Sequence, residues 1–201
     1  MEFIKFHVLE VPKLLTTAYN NNMDVKKLLV LSDTHGHISA LKAVLLWANN
    51  QNIDSAVFLG DGISDLSPAA DAVGFYCPWK FVRGNNDHDY NIPDSAYLDF
   101  YGHRFFLCHG HRHSLYNGFY ALINAARNIE AEAAFFGHEH VPFCKTVNGI
   151  LLLNPGSVGS PRSKVGATFA TIETETCKPL KIKFWVIESK GVIKELKQVN
   201  K

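Results

Sequence analysis

The sequence predicts an α/β fold whose second half is richer in antiparallel sheet. Three observations carry this expectation. Between residues 26 and 84, short apolar runs alternate with stretches of helical periodicity. Beyond residue 94, strand-like runs follow one another with one helical stretch among them. The apolar runs also tend to end in Asp, Asn or His beside a glycine, as strands do where a sheet presents its site.

Taken in order, residues 27–32 (KLLVLS) read as a buried strand. Residues 38–50 repeat apolar side chains at 38, 41, 44, 45 and 48, which is helical spacing. Residues 55–60 (SAVFLG) form a second buried strand, a helix follows Pro68, and residues 80–84 (KFVRG) form a third strand. Strand, helix, strand, helix, strand is an α/β unit with right-handed crossovers. Residues 95–100 and 104–109 flank Tyr101-Gly102-His103 as a hairpin. A helix fits 116–128, followed by short strands at 133–136, 141–147, 150–154, 168–173 and 180–187.

No repeat, low-complexity tract or Gly/Ser linker interrupts residues 23–201, so one domain is expected there. Residues 1–22 differ: their apolar content is broken by Glu10, Pro12 and Lys13, and they end in three asparagines. They lack the apolar core of a secretory signal. They read either as an extension upstream of a natural start at Met23 or as an added element covering an edge.

The chain has 201 residues, 47% hydrophobic and 19% charged, which is globular composition. Twenty basic residues against nineteen acidic leave a net charge of +1, so nucleic-acid binding through counterion release is not expected. No uninterrupted apolar run approaches the length of a membrane span. The four cysteines (77, 108, 144 and 177) form no CxxC pair, so free thiols in a reducing cytoplasm are expected. Histidine is the unusual component: five of the ten lie in 109–113 (HGHRH) and 138–140 (HEH).

Five strands run into potential metal ligands. These are Asp33 and His35, then Asp61, then Asn85 and Asp87, then His109 and His111, then His138 and His140. Carboxylate oxygen with imidazole nitrogen suits Mn²⁺, Fe²⁺, Ni²⁺ or Zn²⁺. Asp33 with His35, and His138 with His140, stand at i and i+2, which in an extended segment places both on one side. Seven of these (Asp33, His35, Asp61, Asn85, His109, His138 and His140) suit two ions sharing a carboxylate, for which Asp61 is the natural choice. Taken singly, Asp65 reads as a helix cap, His37, His103 and His113 as surface or hydrogen-bonded residues, His88 as without function, and His7 has no role. The aromatic residues of the strands read as core.

In that order, Asp33-x-His35, Gly60-Asp61, Gly84-Asn85-x-Asp87, His109-Gly110-His111 and Gly137-His138-x-His140 resemble the signature of the calcineurin-like metallophosphoesterases. The likeness is greatest to their small bacterial and archaeal phosphodiesterases, and residues 154–162 (NPGSVGSPR) extend it. The resemblance implies a four-layer α/β/β/α sandwich of two mixed sheets. It implies one metal held by Asp33, His35, Asp61 and His140 and a second by Asp61, Asn85, His109 and His138, with manganese the first choice. A hydroxide bridging two such ions would attack a small phosphodiester in line. His111 and Asn85 are the expected catalytic residues. Arg162, Gly156 and Ser157 are expected to grip phosphoryl oxygens, and Asp87 to orient a ligand or its loop.

Many members of the family carry His where this chain has Asn86, and an amide cannot protonate a leaving group. Phosphomonoester hydrolysis at the same site is one alternative. A protein-binding scaffold of the same fold is another, and such scaffolds typically lose ligands that this sequence keeps. Short intervals between motifs imply an open site, and small members of the family often form homodimers.

Overall fold

The first strand shows why its sequence does not alternate apolar with polar. In the computed structural model, which describes residues 25–176 and 178–197, β1 (Lys26–Leu31) buries both faces. Leu28 and Val30 point into one apolar cluster, and Leu29 and Leu31 into another. A strand covered on both sides must be apolar throughout. The expectations for residues 1–22 and His7 fall outside the described range.

After β1 come α1 (Ile38–Ala48), β2 (Ser55–Phe58), α2 (Leu66–Val73) and β3 (Trp79–Phe81). The hairpin follows as β4 (Ser95–Phe100) and β5 (His103–Cys108), with Phe100 opposite His103 across the two-residue turn Tyr101-Gly102. Both turn residues have positive φ, 47° and 89°, as the twist of a tight hairpin requires. Then come α3 (Tyr120–Asn128), β6 (Ala133–Phe135), β7 (Pro142–Val147), β8 (Ile150–Pro155), β9 (Ala167–Thr174), β10 (Lys181–Ile187) and β11 (Ile193–Leu196).

Two mixed sheets result, ordered β11-β10-β9-β1-β2-β3 and β4-β5-β6-β8-β7. The parallel trio β1, β2, β3 faces the parallel trio β5, β6, β8. Between the sheets lies a cluster that includes Leu28, Val57, Phe105, Phe135, Leu153 and Ile172. Outside the first sheet, α1 and α2 pack over Leu31, Phe58 and Phe169. Outside the second, α3 packs over Phe106, Ala134 and Leu152. The expected four layers are therefore present; Phe58, Phe105, Phe106, Phe135 and Phe136 are buried, whereas Phe81 is exposed.

Element boundaries differ in instructive ways. α2 begins before Pro68, which occupies the first turn, where its missing N–H removes no helical bond. α3 starts at Tyr120 rather than 116, because Gly118 at φ 96° interrupts the chain after a 3₁₀ turn at Leu115–Asn117. β11 was not expected: Lys194 and Glu195 face solvent, so it carries little apolar signal, and among the described residues it pairs with β10 alone. Cys77, Cys108 and Cys144 are free thiols. Burial pushes Cys77 up to about 11. Among the described residues no helix is long and apolar enough to cross a membrane.

Candidate metal centre

The carboxyl ends of β1, β2, β5 and β6 bring four loops together. Asp33 and Asp61 are buried there, as are His109 and His140, while His35 and His138 are half-buried. His140 Nε2 lies 3.1 Å from Asp33 Oδ1 and 3.1 Å from His35 Nε2. His35 Nε2 is 3.7 Å from both Asp33 Oδ1 and Asp61 Oδ2. His109 Nε2 is 3.4 Å from Asp61 Oδ2 and 3.9 Å from Asp33 Oδ1. Asp33, His35 and His140 form one potential donor set, and Asp33, Asp61 and His109 another. Asp33 is thus common to both sets, although Asp61 was the expected shared carboxylate. Asp61 Oδ2 nonetheless stands between His35 and His109.

The tautomers follow from the protein side. His109 Nδ1 donates to the Leu59 carbonyl at 2.7 Å, and His140 Nδ1 donates to the Ser160 carbonyl at 2.6 Å. Each Nε2 then presents a lone pair to the carboxylates, the arrangement second partners impose on metal-binding histidines. Asp33 Oδ1 and His109 Nε2 are buried without a hydrogen bond. Two carboxylates and several imidazole lone pairs converging on one space are repulsive unless a cation occupies it. The donor set therefore fits divalent metal.

Electrostatics agree. At Asp61, burial alone would raise the carboxyl pKa. His109 and the Asn86 N–H groups outweigh it and hold the group well below the usual carboxylate range. Burial likewise opposes charge on His109, yet Asp61 and Asp33 raise its pKa. The pull that draws a proton to this imidazole is the pull a cation would answer.

The backbone that aims these side chains is not extended. Asp33, His35, Asp61, His138 and His140 have φ of 56°, 46°, 59°, 67° and 57°. The i, i+2 argument therefore assumed the wrong geometry: the chain turns through left-handed conformations instead of continuing a pleat. Such conformations cost on the order of 1–3 kcal/mol each and persist only where surroundings impose them. Here the surroundings are long-range hydrogen bonds. Asp33 N–H donates to Gly60 O (3.0 Å) and His35 N–H to Asp61 O (3.1 Å). Ser157 Oγ donates to Asp33 O at 2.7 Å, and Arg162 N–H to His140 O at 3.1 Å. Glycine is needed where loops touch: a Cβ on Gly84 would sit 2.1 Å from Asp61 Oδ1.

Asp87 holds the loops after β2 and β3 together. Its carboxylate accepts the N–H groups of Asp61 (2.7 Å), Gly62 (2.9 Å), Ile63 (2.9 Å) and Gly84 (2.8 Å). Asn86 donates its backbone N–H to Asp61 Oδ1 (2.7 Å) and its amide to Asp61 Oδ2 (2.6 Å). Asn85 is exposed and makes no hydrogen bond among the described residues. His138 lies with its ring 5.1 Å from that of His109. His111 is half-buried beside both, with a buried Nδ1 that lacks a partner. Burial first, then His109 and Arg112, lower its pKa.

Two of the three expected phosphate contacts, Ser157 and Gly156, meet a different geometry. Ser157 is fully buried, and its hydroxyl both donates to Asp33 O and accepts Ser160 N–H (2.8 Å). The Gly156 N–H donates to Asn154 Oδ1 at 2.9 Å. Those groups brace the ligand loop rather than face a substrate. Arg162 is exposed and donates one N–H to His138 O at 3.3 Å, which leaves its other donors outward. Asp65 is not a side-chain cap. It is buried and accepts Thr34 Oγ1 (2.5 Å) and Gly36 N–H (2.9 Å). His103 is held by Glu132 and Thr174, away from the centre.

Sequence reasoning missed Ser32, whose hydroxyl donates to Asp33 Oδ2 at 2.5 Å. It also missed Asn154, whose amide holds the Gly137 carbonyl at 2.8 Å. The Leu59 and Ser160 carbonyls that fix the histidine tautomers have no side-chain signal. Asn154 and Ser160 stood within a recognisable motif, 154–162.

Residues 27–177 match the calcineurin-like phosphoesterase superfamily domain. The chain belongs to that superfamily. It is 31% identical over 140 residues to a probable metallophosphoesterase of Mycoplasma pneumoniae, across 68% of this chain and 82% of that one. It is 25% identical over 144 residues to a phosphodiesterase of Methanocaldococcus jannaschii, across 65% of this chain and 82% of that one. Among solved structures, zinc-complexed Vps29 of Entamoeba histolytica shares the fold, with a TM-score of 0.67 at 20% identity over 85% of this chain and 97% of that one. Family and donor set together make this calcineurin-like phosphoesterase a metal-dependent phosphoric ester hydrolase.

Proposed function

We propose that this phosphoesterase is a dinuclear phosphodiesterase acting on small phosphodiesters. The observation that carries the reading is the pair of buried, unpartnered atoms Asp33 Oδ1 and His109 Nε2, which lie in two overlapping donor sets joined at Asp33. One ion is assigned to Asp33, His35, Asp61 and His140, and the other to Asp61, Asn85, His109 and His138. Manganese is the first choice, with Ni²⁺, Fe²⁺ and Zn²⁺ chemically suited. When bound, two such cations supply an activated water and neutralise charge on phosphoryl oxygens.

The chain's own residues do the rest. The Leu59 and Ser160 carbonyls accept from Nδ1 of His109 and His140 and so hold each ring with Nε2 turned inward. Asn86 holds both oxygens of Asp61 and fixes its orientation. His111, with its lowered pKa, stays neutral near pH 7 and offers a hydrogen bond to a phosphoryl or leaving oxygen. The outward donors of Arg162 meet an anion at the rim. Ser157 acts through the Asp33 carbonyl and Gly156 through Asn154, rather than on substrate.

The test compares bis-p-nitrophenyl phosphate with p-nitrophenyl phosphate after chelation and after reconstitution with each metal. Metal-restored hydrolysis, faster on the diester, is expected. A faster monoester reaction would assign the site to phosphomonoesters, and no hydrolysis with any of the four metals would overturn the enzyme reading.

A further inference from the structure

Beside the metal centre lies a cavity of about 270 Å³ walled by Leu115, Phe119, Phe136, Val141 and Phe143, with Glu139 on its lining. It is built from the loops that carry the ligands. Glu139 stands between His138 and His140 in sequence. Leu115 packs so closely on Gly110, between His109 and His111, that a Cβ there would come within 2.9 Å of Leu115 Cδ1. Asn154, also on the lining, fixes Gly137 O just before His138.

The walls are aromatic: Phe119 lies 5.1 Å from Phe143 and 5.7 Å from Phe136, ring centre to ring centre. Leu115, Phe119, Val141 and Phe143 are only half-buried, so apolar surface is left for something to cover. An apolar cavity of about 150 Å³ holds benzene. This one has room for a single or fused ring but not for a folded segment. Glu139 is exposed and forms no ion pair among the described residues, so its carboxylate disfavours a second anion there.

We propose that this cavity seats an uncharged aromatic ester group of the substrate, making the preferred substrates phosphodiesters with one aryl or heteroaryl arm. The inference rests on the phosphoesterase reading, because the cavity gains its meaning from the adjoining centre. Rings in such walls gain stacking contacts that an alkyl group does not make.

The experiment uses two diesters with one leaving group, phenyl p-nitrophenyl phosphate and methyl p-nitrophenyl phosphate, on the manganese-loaded protein. The phenyl ester should show about tenfold lower KM. Val141→Phe, which fills the cavity, should erase that difference and leave kcat/KM for the methyl ester within about twofold, and Phe119→Ala should weaken it in part. Line broadening of the ¹⁹F signal of 4-fluorophenyl methyl phosphate by metal-free protein gives a second readout without turnover, and Val141→Phe should abolish it. Equal KM values for the two esters, or equal losses on both in Val141→Phe, overturn the cavity assignment while the phosphodiesterase reading stands. No turnover with broadening that Val141→Phe removes sinks the catalytic reading and supports the cavity. No turnover and no broadening sinks both.

Discussion

His140 turns its Nε2 to within 3.1 Å of Asp33 Oδ1 while the Ser160 carbonyl holds its other nitrogen. With an unprotonated Nε2, that contact is lone pair against carboxylate, and it becomes favourable only with a cation between. Manganese should therefore stabilise the fold. At a hundred times its dissociation constant a ligand adds about 2.7 kcal/mol, which for a protein of this size is a Tm rise of about 5–10 °C. Calorimetry with and without metal checks this, and Asp33→Asn should remove most of the rise.

Asp87 touches no candidate ligand side chain, yet it accepts four backbone N–H groups from two loops. Asp87→Ala leaves those donors without their acceptor and should cost about 2–4 kcal/mol. Denaturant unfolding measures the loss. Because Asp61 is positioned by this carboxylate, kcat should fall as well, while Asp87→Asn, which keeps one acceptor oxygen, should lose less of both.

Asn86 reaches Asp61 Oδ2 at 2.6 Å, so a side chain at this position faces the reacting region. Asn86→His supplies a group able to protonate a departing alkoxide. Activity on diesters with alkyl leaving groups should rise relative to p-nitrophenyl ones, whose departure needs no proton. Steady-state rates on a matched pair decide; equal changes on both would reject the role.

Asp94 accepts Arg83 at 2.5 Å and Arg112 at 2.9 Å. Burial would raise its pKa, but the Arg83 hydrogen bond and the charges of Arg112 and Arg83 hold it below the usual value. A depressed folded pKa means that the stability is full above the unfolded value, about 3.9, and is lost as pH falls through the folded one. Asp94→Asn should therefore cost about 0.5–1 kcal/mol at neutral pH for this partly exposed group. The gap from wild type should close below about pH 4, followed by urea unfolding across pH.

Much of the fold was legible because burial writes itself into sequence. The both-faced burial of β1 gives its unbroken KLLVL run, and the helical spacing at 38, 41, 44, 45 and 48 foretold α1. β11 was not legible, since a solvent-facing edge strand with Lys194 and Glu195 buries too little to leave a pattern. In the site, Asp33, His35, Asp61, His109, His138 and His140 were legible as residue types following strands. The shared role of Asp33, the outward position of Asn85 and the internal use of Ser157 were not.

The sequence by itself determined the chemistry on offer: carboxylates and imidazoles at strand ends, in an order that marks a family, and an amide at position 86 where a proton donor often stands. Only the tertiary structure decided which of them meet and how they are aimed. The bonds that fix the aim join distant residues, as His138 N–H does with Asp33 Oδ2 across 105 positions. They hold five candidate ligand residues in left-handed conformations that no local preference would select. Local pattern records what each segment buries; it does not record which carbonyl or carboxylate from another strand will restrain it.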